Sequence, residues 1–319
     1  MLRRSTFSNL PINLPVNLPK VLPKITLLLA LVLTANGQTF AAECDESSGS
    51  SQLTNDACIE SGQWSLGIAL GLGAQSNPLV DGDTIPLLAL FDLAWYGEQA
   101  YFDNGELGLR WLRHDKLSFD SFIAFDRERR FFNFWDPANI LFSTALSPVP
   151  PPKDPDMSPI TDSQDDRKVS ADDISTRRWA VLLGNRLQYT EGLHQFSFTL
   201  NTDISGIHKG QSAELSYRKV WHGDNWQFQL RPRITWKSDS LIDYYYGIDK
   251  NDDVPDFLLY EGKSGFQAGF SAFYSYRLSE RWQIIVNAAY QRLNSGMVDS
   301  PLVEQNHTST LFIGVGYRY

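Results

Sequence analysis

His307, Thr308 and Ser309 carry the one spacing in this chain that suits covalent chemistry. In an extended strand, residues i and i+2 share a face, so His307 stands where an imidazole takes the proton of the Ser309 hydroxyl and makes it a nucleophile. A serine activated this way on a membrane-facing wall would hydrolyse lipid esters. Nucleophile chemistry also asks for a third group that orients the base, and spacing offers only the adjacent Asn306. The same pair reads equally as polar residues ending a strand. The other histidines sit at turns: His114 in Arg113-His114-Asp115-Lys116, His194 after Gly192-Leu193, His208 before Lys209-Gly210 and His222 before Gly223. No two of them have metal-ligand spacing. Asp165-Asp166 and Asp252-Asp253 are acidic pairs of the kind that face solvent. There is no phosphate loop and no dinucleotide fingerprint. The expectation is a non-enzymatic protein with no cofactor, no metal and no catalytic residue.

The elements that would position these residues are β-strands. From Leu311 to the end of the chain, Leu311, Ile313, Val315, Tyr317 and Tyr319 alternate with Phe312, Gly314, Gly316 and Arg318. A period of two over this length is a strand with one oily face. A terminal aromatic preceded by alternating apolar residues resembles the signal by which outer-membrane barrels are recognised for insertion, which implies the barrel-assembly machinery as a partner. The last strand of a soluble sandwich would leave that edge open, whereas a closed barrel leaves none. Similar alternation recurs near 63–73, 87–96, 101–112, 117–126, 179–189, 196–204, 213–221, 226–237, 241–248, 266–277 and 282–293. This predicts an all-β, antiparallel transmembrane β-barrel of about twelve strands, with ten or fourteen as alternatives. Trp95, Tyr96, Trp179, Tyr189, Trp221, Trp226, Trp236 and Trp282 fall at strand ends, as interfacial girdles do. Arg186, Asp203, Glu214, Arg218, Arg231, Arg233, Lys237 and Arg277 lie on the other face, where a polar or salt-bridged lumen tolerates charge and lipid does not.

Residues 25–34 (ITLLLALVLT) follow Arg3, Arg4, Lys20 and Lys24 and precede Thr39-Phe40-Ala41. Positive flank, short apolar core and small residues predict a signal peptide over 1–42. The expected order is then a periplasmic segment, 43–61, and the barrel, 62–319. Without residues 1–42, which hold four bases and no acid, the net charge falls from −9 to −13. An acidic body without a basic tract excludes nucleic acid as a partner. In an exported chain the two cysteines, Cys44 and Cys58, are candidates for a disulfide. Residues 127–176 break the pattern with a proline run and Asp162, Asp165 and Asp166, and are expected to be an insert. Four strands precede the insert in this count, which would set it on the periplasmic side with the termini.

Several stretches of the second half, in this order, resemble the MipA/OmpV family of outer-membrane proteins. They are Asp203-Ile204-Ser205-Gly206-Ile207-His208-Lys209-Gly210, Tyr244-Tyr245-Tyr246-Gly247-Ile248, Tyr276-Arg277-Leu278 followed by Trp282, Asp299-Ser300-Pro301-Leu302-Val303, and the terminal Gly-Tyr-Arg-Tyr. The likeness covers about 62–126 and 172–319; the insert, the cysteine pair and the final Tyr depart from it. It implies the outer membrane of a Gram-negative bacterium, and a scaffold that meets a lytic transglycosylase and a murein synthase. A narrow channel for small solutes, lined by Arg218, Arg231, Arg233 and Lys237, is the alternative. A lipid hydrolase built on His307 and Ser309 is the third.

Overall fold

The structure, a computed structural model, describes residues 62–132, 168–252 and 254–318. Twelve strands form it: β1 (Trp64–Gln75), β2 (Ile85–Tyr96), β3 (Ala100–Asp103), β4 (Glu106–His114), β5 (Leu117–Phe125), β6 (Val181–Glu191), β7 (His194–Asp203), β8 (Gln211–His222), β9 (Trp226–Lys237), β10 (Gly265–Arg277), β11 (Trp282–Arg292) and β12 (His307–Arg318). Each is antiparallel to the next, and β12 pairs back on β1 to close a barrel. No described helix is long and apolar enough to cross a membrane.

Alternation decides which way each side chain points. Leu70 and Leu72 of β1 stand opposite Val315 and Ile313 of β12 and project outward, with Leu72 75% exposed and Ile313 53%. In water such a belt would be an aggregation surface, and in lipid it is the solvated face. The inward positions of the same strands are small, and they make room for Phe312, which is fully buried. A Cβ on Gly314 would lie 2.7 Å from the Phe312 ring and 2.5 Å from the Leu70 carbonyl oxygen, so glycine is required there. Phe312 packs with Ala69, Ile85, Leu87, Ala89, Leu90 and Ile285, with Phe273 against them, and fills this side of the lumen.

The twelve strands differ from the expected twelve in two places. The stretch 101–112 is not one strand: Asn104 (φ 46°) and Gly105 (φ 93°) form a tight hairpin turn between β3 and β4. Asn-Gly is the strongest short hairpin signal, and here it lies between Asp103 and Glu106, with apolar residues resuming at Leu107. The stretch 241–248 is not a strand but helix α1 (Asp239–Tyr246). It buries Leu241, Ile242, Tyr245 and Tyr246, the i, i+1, i+4, i+5 pattern of a helix face, although tyrosine-rich runs favour strands. One strand was merged and one was added, so the total stayed the same.

The merged strand moves the insert. Five strands now precede it, so it leaves and re-enters at the end opposite Trp64 and Arg318, not beside them. The segments 76–84, 204–210, 238–264 and 293–306 lie at that same end. The turns at the other end are short: 97–99, 115–116, 192–193, 223–225 and 278–281.

Candidate functional site: the capped mouth of the barrel

The long segments fold together into a second core at their end of the barrel. It joins Leu79, Phe131, Val169, Ile174, α1, Ile248, Leu258, Leu293, Met297, Leu302 and Val303. Hydrogen bonds tie its parts. Val80 N donates to Leu302 O at 2.9 Å, Glu304 N to Pro78 O at 2.9 Å, and Val169 N to Pro301 O at 3.1 Å. The Asp299–Val303 motif therefore has a structural task. The Ser300 hydroxyl donates to the Tyr246 carbonyl at 2.6 Å and accepts from Leu302 N, so it fastens a turn onto α1.

This core sits on inward-facing strand residues and so covers the mouth. Lys237, the last residue of β9, meets Glu128 at 2.5 Å, and the Tyr246 hydroxyl donates to the other carboxylate oxygen at 2.8 Å. Burial alone would raise the Glu128 carboxyl, but the Lys237 charge and the two hydrogen bonds outweigh it and hold the group below the usual carboxylate range. A second line runs from the lumen to the cap. Arg233 donates to Gln291, Gln291 to Gln267 (2% exposed), and Gln267 to the sulfur of Met297.

His208, which sequence reasoning assigned to turn chemistry, is buried among three elements of the cap. Its Nδ1 accepts from Gly210 N at 2.9 Å, and its Nε2 stands 3.1 Å from Asp126. Asp203 accepts from Ser205 N, the Ser205 hydroxyl, His208 N and Lys209 N, all within 2.8 Å. This explains the whole run from Asp203 to Gly210: the acid collects the turn's free donors, and the glycine leaves space for Leu241, 2.6 Å from where a Cβ would be. The signal was visible, since Asp before Ser-Gly is turn chemistry. Its partner Asp126 was not, because it comes from a distant segment.

Beside His208 the cap leaves a cleft of about 460 Å³. Three of its charged lining residues are engaged with nearby backbone. Arg177 donates to Ser175 O and Gly247 O, Asp243 accepts from Gly262 N, and Asp252 accepts from Ser175 and Asp249. They serve the fold before any ligand.

The charges expected on the inner face are distributed as follows. Arg186 lies over the Phe122 ring and pairs with Glu106 at 2.6 Å and Asp120 at 3.7 Å. Arg231 donates to Glu214 at 3.0 Å and to Ser216. Arg218 and Arg233 line the same wall, Asp203 and Lys237 belong to the cap contacts, and Arg277 stands opposite Gln283 near the short-turn end. Tyr317 meets the Trp282 ring at 5.0 Å. Cys44, Cys58, Tyr319, Asp165, Asp166, Asp253 and residues 1–42 lie outside the described residues. Among those described, no group of three His, Cys, Asp or Glu is placed to hold a metal.

The structure does not bring His307 and Ser309 together. The His307 ring stacks on Tyr290 and its Nδ1 lies 3.0 Å from Asn306, while Ser309 is bound to Ser76. The lipid hydrolase has no support in this geometry.

A closed antiparallel wall, apolar outside and charged within, is that of an outer-membrane β-barrel of a Gram-negative bacterium. The chain belongs to the family of the MltA-interacting protein MipA, whose sequence profile matches residues 66–319. The MltA-interacting protein of Escherichia coli K12 is 25% identical over 137 residues, covering 40% of this chain and 55% of that one. Omp26La of Vibrio anguillarum is 24% identical over 164 residues, 51% of this chain and 63% of its own. OmpV of Vibrio cholerae is 24% identical over 156 residues, 48% and 60%. The chain thus matches little more than half the length of these relatives. Among solved structures, the NanC porin aligns over 80% of this chain and all of its own, at 9% identity and a TM-score of 0.38.

Proposed function

We propose that this protein is a non-enzymatic outer-membrane scaffold that holds a lytic transglycosylase of the MltA kind, and with it a murein synthase, against the membrane's inner face. The observation that carries the reading is the covered mouth. Tyr246 and Met297 are both fully buried; Tyr246 is joined to Lys237 through Glu128 and Met297 accepts from Gln267, which suits a platform better than a conduit. The Escherichia coli relative is named for such a partner. In barrels of this class long loops face outward and short turns inward. On this reading the partner meets the short turns, not the insert. Lipid covers the outer wall, and the barrel-assembly machinery reads Leu311, Ile313, Val315, Tyr317 and Tyr319. Co-purification with a tagged MltA-type transglycosylase tests it: replacement of the turns at 115–116, 192–193 and 223–225 should abolish capture while deletion of 133–167 leaves it intact. Capture that survives the turn replacements would sink the reading.

A narrow channel is the second reading, favoured by Arg218, Arg231 and Arg233 on the inner wall. Step conductance of the unaltered protein in planar bilayers would favour it over the scaffold; a silent bilayer would end it.

A further inference from the structure

The inner face of β7–β9 holds a positive surplus that the fold leaves unanswered. Two inward cations elsewhere have carboxylates: Arg186 has Glu106 and Asp120, and Lys237 has Glu128. On this wall Arg231 pairs with Glu214, Arg233 hydrogen-bonds the neutral Gln291, and Arg218 has no hydrogen-bond partner among the described residues, its Nε being buried. Three guanidiniums thus face one acid, a surplus of two. The register makes this sharper. Ser216 pairs with Arg233 and Lys219 with Leu230, which sets Arg218 directly across from Arg231. Like charges opposite each other on one sheet face destabilise it.

Two more features mark the place. Between those pairs lies Pro232, which removes a ladder donor mid-strand, and the β8–β9 pairing lapses there. The Ser197 hydroxyl, next to Ser216 in the β7–β8 register, is 6% exposed and has no partner. A half-buried guanidinium with an unpaired Nε and an unpaired buried hydroxyl are each costly, and they stand on adjacent strands of one face. A doubly negative oxyanion would answer both. Paired guanidiniums present forks of N–H donors that suit its oxygens, and the hydroxyl adds a further donor.

We propose that Arg218, Arg231, Arg233 and Ser197 form a binding site for the phosphoryl group of a small soluble compound, entered from the short-turn end because the opposite mouth is covered. It does not depend on the scaffold reading, since capture of a transglycosylase needs no ligand here.

Calorimetric titration of the folded full-length protein in detergent, with inorganic phosphate and with glycerol phosphate at constant ionic strength, tests it. Saturable binding is expected. Arg218→Gln should weaken it on the order of tenfold to a hundredfold, as loss of a charge-assisted hydrogen bond does. Lys219→Gln removes the same charge from the next residue of β8, on the outward face, and should leave binding unchanged. Should Arg218→Gln fail to fold, Arg218→Lys keeps the charge without the fork and should still weaken binding. Absence of saturable binding to the unaltered protein, equal losses in Arg218→Gln and Lys219→Gln, or full affinity in Arg218→Lys would each overturn the site.

Discussion

Lys237 and Glu128 meet at 2.5 Å although 109 positions separate them, and their side chains are 7% and 16% exposed. The contact joins the rim of the wall to the segment that precedes the insert. Removing one member leaves the other's charge buried, at a cost of about 3–5 kcal/mol, while apolar replacement of both is often close to neutral. Glu128→Gln and Lys237→Met should therefore each lower the unfolding midpoint in urea, and the double variant should recover most of the loss. Additive losses would show that the two act separately.

Acid should loosen the cap before the wall. Burial raises the Glu128 and Asp252 carboxyls, but Lys237 in the first case and the Ser175 hydrogen bonds in the second more than offset it, so both are lowered. A depressed folded value means the stabilisation is complete above the unfolded values, 4.5 and 3.8, and is lost as pH falls through the folded ones. Near-ultraviolet circular dichroism, sensitive to Tyr245 and Tyr246, should hold steady from neutral pH to about 5 and decline below 4 while the far-ultraviolet strand signal persists. Simultaneous loss of both signals would contradict a separable cap.

The two faces of β12 should answer differently to substitution. Phe312→Ala empties a fully buried site and should cost about 3–5 kcal/mol. Ile313→Arg, one residue on and facing out, places a cation in lipid at about 2–4 kcal/mol. Folding titrations in lipid vesicles separate the causes: thicker bilayers should worsen the second defect and leave the first unchanged.

Topology sets the insert at the long-loop end, so protease added to intact cells should cut between 133 and 167. Cleavage only after permeabilisation would mean that the strand order, or the usual orientation of such barrels, fails here.

Most of the wall was legible in the sequence because lipid and lumen impose a period of two on every strand; Leu311 to Tyr317 shows it without any tertiary knowledge. The hairpin at Asn104-Gly105 was legible too, but Tyr101 and Leu107 on either side of it share one parity and so read as a single strand. The cap was not. Leu79, Phe131, Leu241, Met297 and Leu302 follow no shared period, because each comes from a different loop and they meet only in three dimensions. The approach of His208 to Asp126 belongs to the same class, as does the β8–β9 register that sets Arg218 across from Arg231.

The bonds from Pro78 and Val80 to Glu304 and Leu302, with Ser76 held to Ser309, join the first loop of the barrel to its last. They lie directly above the β1–β12 junction, where the two ends of the sheet meet and where the cylinder must be completed. The cap is therefore also a strap across the seam. It can fasten only after the final strand has docked, and once fastened it opposes sideways parting of the wall at that seam.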